Sequence, residues 1–204
     1  MRVLLTGFEA FGGQPVNPSE RVVHRLARHS LPGIELHTAI LPVDHEQGPA
    51  ALLDAVEHFR PDAVICLGEA GGRMRISIER VAINLLDDRI PDNAGRQLVD
   101  QPIVADGPAA YFCTLPVRRL AAAIQDVGVP VELSLSAGTF LCNQVTYTLL
   151  HYLSQQHATC RAGFIHLPFL PEQAVRVERP VASMSLETMT LGLTTALQAL
   201  AQCS

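Results

Sequence analysis

The chain opens on a run of apolar residues, Val3–Leu5, closed by Thr6-Gly7, and hydrophobic positions then recur with two alternating periods. The opening run reads as a buried strand, followed by a Gly- and Pro-rich loop over 8–18 in which Asn17-Pro18-Ser19 is a turn feeding a helix. Helical spacing appears at Val22, Val23, Leu26 and Ala27, within a helix expected over 21–29. A strand is expected over 35–41 and a helix over 47–59, its stripe formed by Leu52, Leu53, Val56 and Phe59. The continuous apolar run 63–67 suits a strand covered on both faces. Alternation of Ile76 and Ile78, then of Val81, Ile83 and Leu85, gives one or two strands over 75–86.

Periodicity then fades from 87 to 115, where Pro91, Asn93, Gly95, Pro102, Gly107 and Pro108 break the chain. Unpatterned stretches of that length are usually functional or mobile. Beyond it the pattern predicts a helix over 117–127, a strand over 131–135, a helix over 145–153, a strand over 163–167 and a last helix over 186–200, with Ser185 as its N-cap. Strands alternating with helices imply one α/β domain across 1–204, a three-layer α/β/α sandwich on a largely parallel, possibly mixed, sheet.

Composition narrows the function classes. The 204 residues are 48% hydrophobic and 17% charged, a globular profile. Fifteen basic against twenty acidic side chains, a formal charge of −5, with no Lys/Arg run, argue against nucleic acid as a partner. No apolar run reaches the roughly 18 residues of a membrane span. The short run after Arg2 falls below the 7–15 residues of a signal-peptide core. Five cysteines without paired spacing suggest free thiols and a cytoplasmic location. Phosphate-binding and dinucleotide motifs are missing, and His45-Glu46-Gln47-Gly48-Pro49 lacks the second histidine of a zincin helix, so neither a cofactor nor a metal is expected.

Candidate chemistry gathers at three places. Cys142 ends the segment Ser134–Asn143, which runs from a buried strand through small residues to a helix start. A thiol there meets backbone N–H groups and the positive helix end, which favour the thiolate and an oxyanion beside it. His166 lies at the carboxyl end of its strand, where open α/β sheets gather ligands. Glu79 interrupts an apolar strand face beside another expected carboxyl end. Position alone leaves each with a plain alternative: a small buried hydrophobe, a structural histidine, and a surface ion pair with Arg80.

Three stretches resolve the choice by resemblance. Gly68-Glu69-Ala70-Gly71-Gly72-Arg73 with Ile76–Asn84, the segment Ser134–Asn143, and Gly163–Gln173 are similar, in order, to signatures of the type I pyroglutamyl peptidases (pyrrolidone-carboxylate peptidases). The resemblance runs along nearly the whole chain. It implies a thiol peptidase that removes N-terminal pyroglutamate from peptides through a thioester, with Cys142 as nucleophile, His166 as base and Glu79 as its orienting carboxylate. It further implies Arg89 near the oxyanion, a substrate pocket walled by Phe8, Phe11, Ile90, Phe140 and Leu141, and a homo-oligomer, dimer or tetramer. Two alternatives stay open: a related cysteine amidase of the same fold, and a weakly catalytic homologue that binds pyroglutamyl peptides. The chain departs from the family pattern at Val43, commonly polar, and at Glu69, usually Gln. A carboxylate at position 69 is expected to raise the proton affinity of His166 or to accept the lactam N–H.

Overall fold

A computed structural model describes residues 1–202; Cys203 and Ser204 lie outside the described residues. The elements in order are β1 (Arg2–Phe8), α1 (Pro18–Leu26), β2 (Glu35–Leu41), α2 (Gln47–Phe59), β3 (Ala63–Glu69), β4 (Ile76–Glu79), β5 (Val81–Ile83), β6 (Ala110–Phe112), α3 (Val117–Asp126), β7 (Val131–Ser134), α4 (Leu141–Gln155), β8 (Arg161–Leu167), the short α5 (Pro171–Ala174) and α6 (Leu186–Ala201). Asn17 caps α1 by accepting from Ser19 N, and Ser185 caps α6 by accepting from Thr188 N.

Six strands form one sheet in the order β2-β1-β3-β8-β4-β7, while β5 and β6 make a separate antiparallel pair. β1, β2, β3 and β8 are mutually parallel; β4 runs antiparallel to β8 and carries β7 parallel to itself. The sheet is therefore mixed and mostly parallel. Its pleat sorts side chains to two faces. Val3, Leu5, Ile65, Leu67, Ile76, Ile78 and Ile165 pack with α1, α3 and α6, and Leu4, Phe8, Val64, Cys66 and Phe164 pack with α2 and α4. Both clusters are fully dry at their centres, which makes this a three-layer sandwich.

The strand directions complete one expectation. Glu79 was expected beside another carboxyl end than that of His166, and it does end β4; what the pattern did not give is that β4 and β7 run against β8. Both are only four residues long, and the register pairs Ser77 with His166 and Ile78 with Ile165. Glu79, one step further, thus ends its strand within side-chain reach of His166. The site forms where two short reversed strands stop on the sheet face under α4.

Candidate active site

Pleat parity assembles the site. On β8, Ala162 and Phe164 face α4, so His166 does too; on β3, Val64 and Cys66 face α4, so position 68 does too; on β4, Ile76 and Ile78 face away, which turns Ser77 and Glu79 inward. His166 is the register partner of Gly68. A Cβ on Gly68 would lie 2.8 Å from Cys142 Sγ and 2.6 Å from Phe164 Cζ. The missing side chain at position 68 is the space the thiol occupies, directly over the strand pair that carries the histidine.

His166 Nδ1 lies 2.8 Å from Glu79 Oε1, with both side chains buried. Burial opposes ionisation of Glu79, but the His166 hydrogen bond and the nearby charges prevail and hold its carboxyl below the usual range. An ionised Oε1 accepts only, so Nδ1 carries the proton and Nε2 is left as the basic nitrogen. Burial lowers the proton affinity of His166, against the pull of Glu79. Burial also pushes the Cys142 thiol up to about 12, with Glu69 and Glu79 adding to the rise and Arg73 opposing it. Desolvation thus works against the helix end expected to favour the thiolate.

Cys142 is the second residue of α4, whose N-cap Phe140 supplies no side-chain hydrogen bond. The first-turn N–H groups are therefore available to an oxyanion. The preceding loop is tied on both sides: Arg73 Nη2 donates to Ser136 O at 3.1 Å, Asp87 N donates to Thr139 O at 3.1 Å, and Thr139 Oγ1 donates to Asp87 O at 2.7 Å. Behind the nucleophile, Thr146 Oγ1 donates to Cys142 O at 2.7 Å, and the Asn143 side chain exchanges hydrogen bonds with both backbone groups of Ile83.

Of the expected pocket residues, two aromatic rings face each other, and a third residue lies by the Gly12 loop. Phe11 and Phe140 have ring centroids 6.3 Å apart, and Ile90 Cδ1 sits 3.6 Å from where a Cβ on Gly12 would be. Phe8 and Leu141 are buried with Val43 in the core cluster against which Phe11 and Phe140 pack. Arg89 is exposed on the 87–90 turn that Thr139 holds. Glu69 follows odd parity, away from His166: its Oε2 accepts from Gln173 Nε2 at 2.6 Å, and burial raises its carboxyl to about 6. The charges acting on His166 are those of Glu79 and Arg73, whereas Glu69 acts on the Cys142 thiol. That replaces the expectation that Glu69 would raise the histidine. Two surface hollows, about 520 and 670 Å³, lie by Arg80 and by Arg60, away from these residues. Chemistry rather than volume marks the site.

A half-buried thiol beside a buried imidazole and carboxylate suits acyl transfer. The family model for pyroglutamyl peptidase matches residues 1–203. The chain belongs to the pyroglutamyl peptidase family. It is 52% identical over 192 residues to a pyrrolidone-carboxylate peptidase of Vibrio vulnificus, covering 94% of this chain and 89% of that one. A Gloeobacter violaceus protein of the same name is 52% identical over 200 residues, covering 98% and 97%. The crystal structure of pyroglutamyl peptidase I from Bacillus amyloliquefaciens superposes with a TM-score of 0.93 at 42% identity, covering 98% of this chain and 97% of that one.

Sequence reasoning gave no role to two side chains that pyroglutamyl peptidase chemistry would use here. Arg73 Nη1 donates to Glu79 Oε1 at 2.7 Å, the same oxygen that His166 engages, while its Nη2 holds the loop before the nucleophile. Its signal was present, an arginine after two glycines at the exit of a buried strand. Asn143, adjacent to Cys142, clamps β5 to the nucleophile's helix, and nothing in the pattern separates it from an ordinary helix residue.

Proposed function

We propose that the chain is a cysteine exopeptidase that hydrolyses the bond after an N-terminal pyroglutamyl residue, with Cys142, His166 and Glu79 as its catalytic residues. The observation that carries this reading is the buried contact of Glu79 Oε1 with His166 Nδ1, with Cys142 Sγ held over Gly68, the register partner of His166. Family membership and the curated relatives support it.

His166 Nε2 takes the thiol proton, and the sulfur attacks the pyroglutamyl carbonyl. Charge moves to the carbonyl oxygen, which the open N–H groups of α4 stabilise. The imidazolium, held by Glu79, then protonates the departing amine, leaving a thioester on Cys142. A water molecule gives its proton to His166 and attacks the thioester; the imidazolium returns that proton to sulfur, and pyroglutamate leaves.

A pyroglutamyl group has a neutral lactam and no ammonium, which fits walls made by Phe11, Phe140 and Ile90. Polar groups that match the lactam C=O would be left unpaired by a prolyl substrate, the basis of strong rejection. Fluorogenic pyroglutamyl, prolyl and glutamyl amides test this: the pyroglutamyl compound is expected to turn over at least about 10⁴-fold faster in kcat/KM. Equal turnover of the prolyl compound would favour a general amidase, and binding of the pyroglutamyl amide without hydrolysis a weakly catalytic homologue.

We also read the protein as a cytoplasmic homo-oligomer, dimer or tetramer. Family resemblance supports the assembly, which a monomer in sedimentation velocity would contradict, and the free thiols of Cys66, Cys113, Cys142 and Cys160 suit a reducing compartment.

A further inference from the structure

The turn before α2 carries a histidine that the mechanism does not use. His45 is buried, with its ring between two elements of the pocket. Its Nδ1 lies 2.7 Å from Gln144 Oε1, and Gln144 Nε2 donates back to His45 O at 2.9 Å. Because the amide nitrogen is committed to that carbonyl, the oxygen faces the ring, and Nδ1 donates to it. On the other side His45 Nε2 is 2.8 Å from Asp88 Oδ2. The backbone N–H of His45 donates to Asp92 Oδ2 at 3.0 Å, and the ring meets Phe140 edge-on at 5.6 Å between centroids.

These contacts converge on parts of the chain that the substrate would touch. Gln144 is two residues after the nucleophile on α4, Asp88 is two residues before Ile90, and Phe140 is the aromatic wall itself. The 87–98 segment has almost no regular structure to hold it. Its anchors are buried polar groups, including Leu98 N donating to Asp88 Oδ2 at 2.7 Å. We propose that His45 is a positioning residue for substrate specificity: it fixes the Ile90 and Phe140 walls of the lactam pocket relative to Cys142 by bridging Asp88 to Gln144. The inference rests on the pyroglutamyl-peptidase reading of the same site.

The physical case is that no apolar residue can replace the ring. Asp88 is a buried carboxylate whose Oδ2 meets the His45 ring and accepts from Leu98 N, while its Oδ1 has no hydrogen-bond partner among the described residues. Removing the imidazole strands that charge, and the 87–90 turn must shift to reach water. The triad would be spared, because Glu79, His166 and Gly68 are set by the sheet. Loss of His45 should therefore loosen substrate binding before it disturbs the thiol.

The test compares wild type, His45→Phe, His45→Gln and His45→Phe with Asp88→Asn, measuring kcat and KM for a pyroglutamyl amide and the rate of Cys142 alkylation by iodoacetamide. Iodoacetamide is too small to need the lactam walls, so its rate reports an intact nucleophile. In His45→Phe, KM is expected to rise about tenfold or more, with kcat within about threefold of wild type and alkylation within about twofold. His45→Gln, which keeps a donor for Gln144, should fall between, and Asp88→Asn should recover part of the loss in the double variant. Unchanged KM in His45→Phe overturns the inference. So does a joint fall of kcat and alkylation in all three variants, which would mark a folding role only. Absence of pyroglutamyl turnover in the wild type would overturn the underlying reading and this inference with it.

Discussion

Cys142 sits at a helix start, a position that suggests an ionised thiol, yet burial pushes it up to about 12. That Cys142 lies at a helix start was legible in the sequence; its desolvation was not, because the sulfur packs over Gly68 of β3, a segment far away in the chain. Glu69 shows the same limit. Its identity was visible, but its partner Gln173 lies 104 residues away, and the pleat directs the carboxylate there rather than toward His166. Folding raises the Glu69 carboxyl from 4.5 to about 6, so the folded chain binds its proton more tightly than the unfolded chain. Stability is then greatest below the ordinary value of 4.5 and falls as pH rises toward about 6. Glu69→Gln removes that fall. In urea titrations the variant should be more stable than wild type near neutral pH by up to about 2 kcal/mol, with the difference gone below the lower end of that window. Its Cys142 should also react faster with iodoacetamide near neutral pH, since ionised Glu69 raises the thiol. A stability difference that persists unchanged in acid would show that packing, not charge, separates the two side chains.

At the scale of elements, the hydrophobic pattern located nearly all of the secondary structure, including 35–41 and 47–59 to the residue. It could not give strand direction. β4 and β7 read as ordinary short strands, and only pairing across the sheet reveals that they run against β8. The apolar period of α4 is legible only from Val145, while the helix starts at Leu141, because Cys142 and Asn143 serve the site and the β5 clamp rather than a helical stripe; their place at a helix start shows instead in the small-residue turn before them. Likewise β6 and α5 are too short to carry a period. Gly68 is where element and chemistry meet, since the strand can pass beneath the thiol only without a Cβ. Gly68→Ala places a methyl group 2.8 Å from Sγ and 2.6 Å from the Phe164 ring, which is fully buried and has no room to retreat. Denaturant unfolding should show a loss of about 1–3 kcal/mol, and turnover should fall by about a hundredfold or more as the nucleophile is displaced. Wild-type turnover in Gly68→Ala would mean that the thiol works from elsewhere.

The whole molecule brings together three segments that the sequence keeps apart: 63 residues separate Glu79 from Cys142, and 24 separate Cys142 from His166. Their order resembles the family's, but their meeting depends on the mixed sheet, whose parity turns Glu79, position 68 and His166 to one face beneath α4. The central claim is that this meeting makes Cys142 the nucleophile of a pyroglutamyl peptidase. The most direct measurement is the rate of pyroglutamyl amide hydrolysis by Cys142→Ala, in protein whose circular dichroism and unfolding midpoint match the wild type. The account expects active wild type and a variant slower by about 10⁴-fold or more. Hydrolysis by folded Cys142→Ala at the wild-type rate would contradict it.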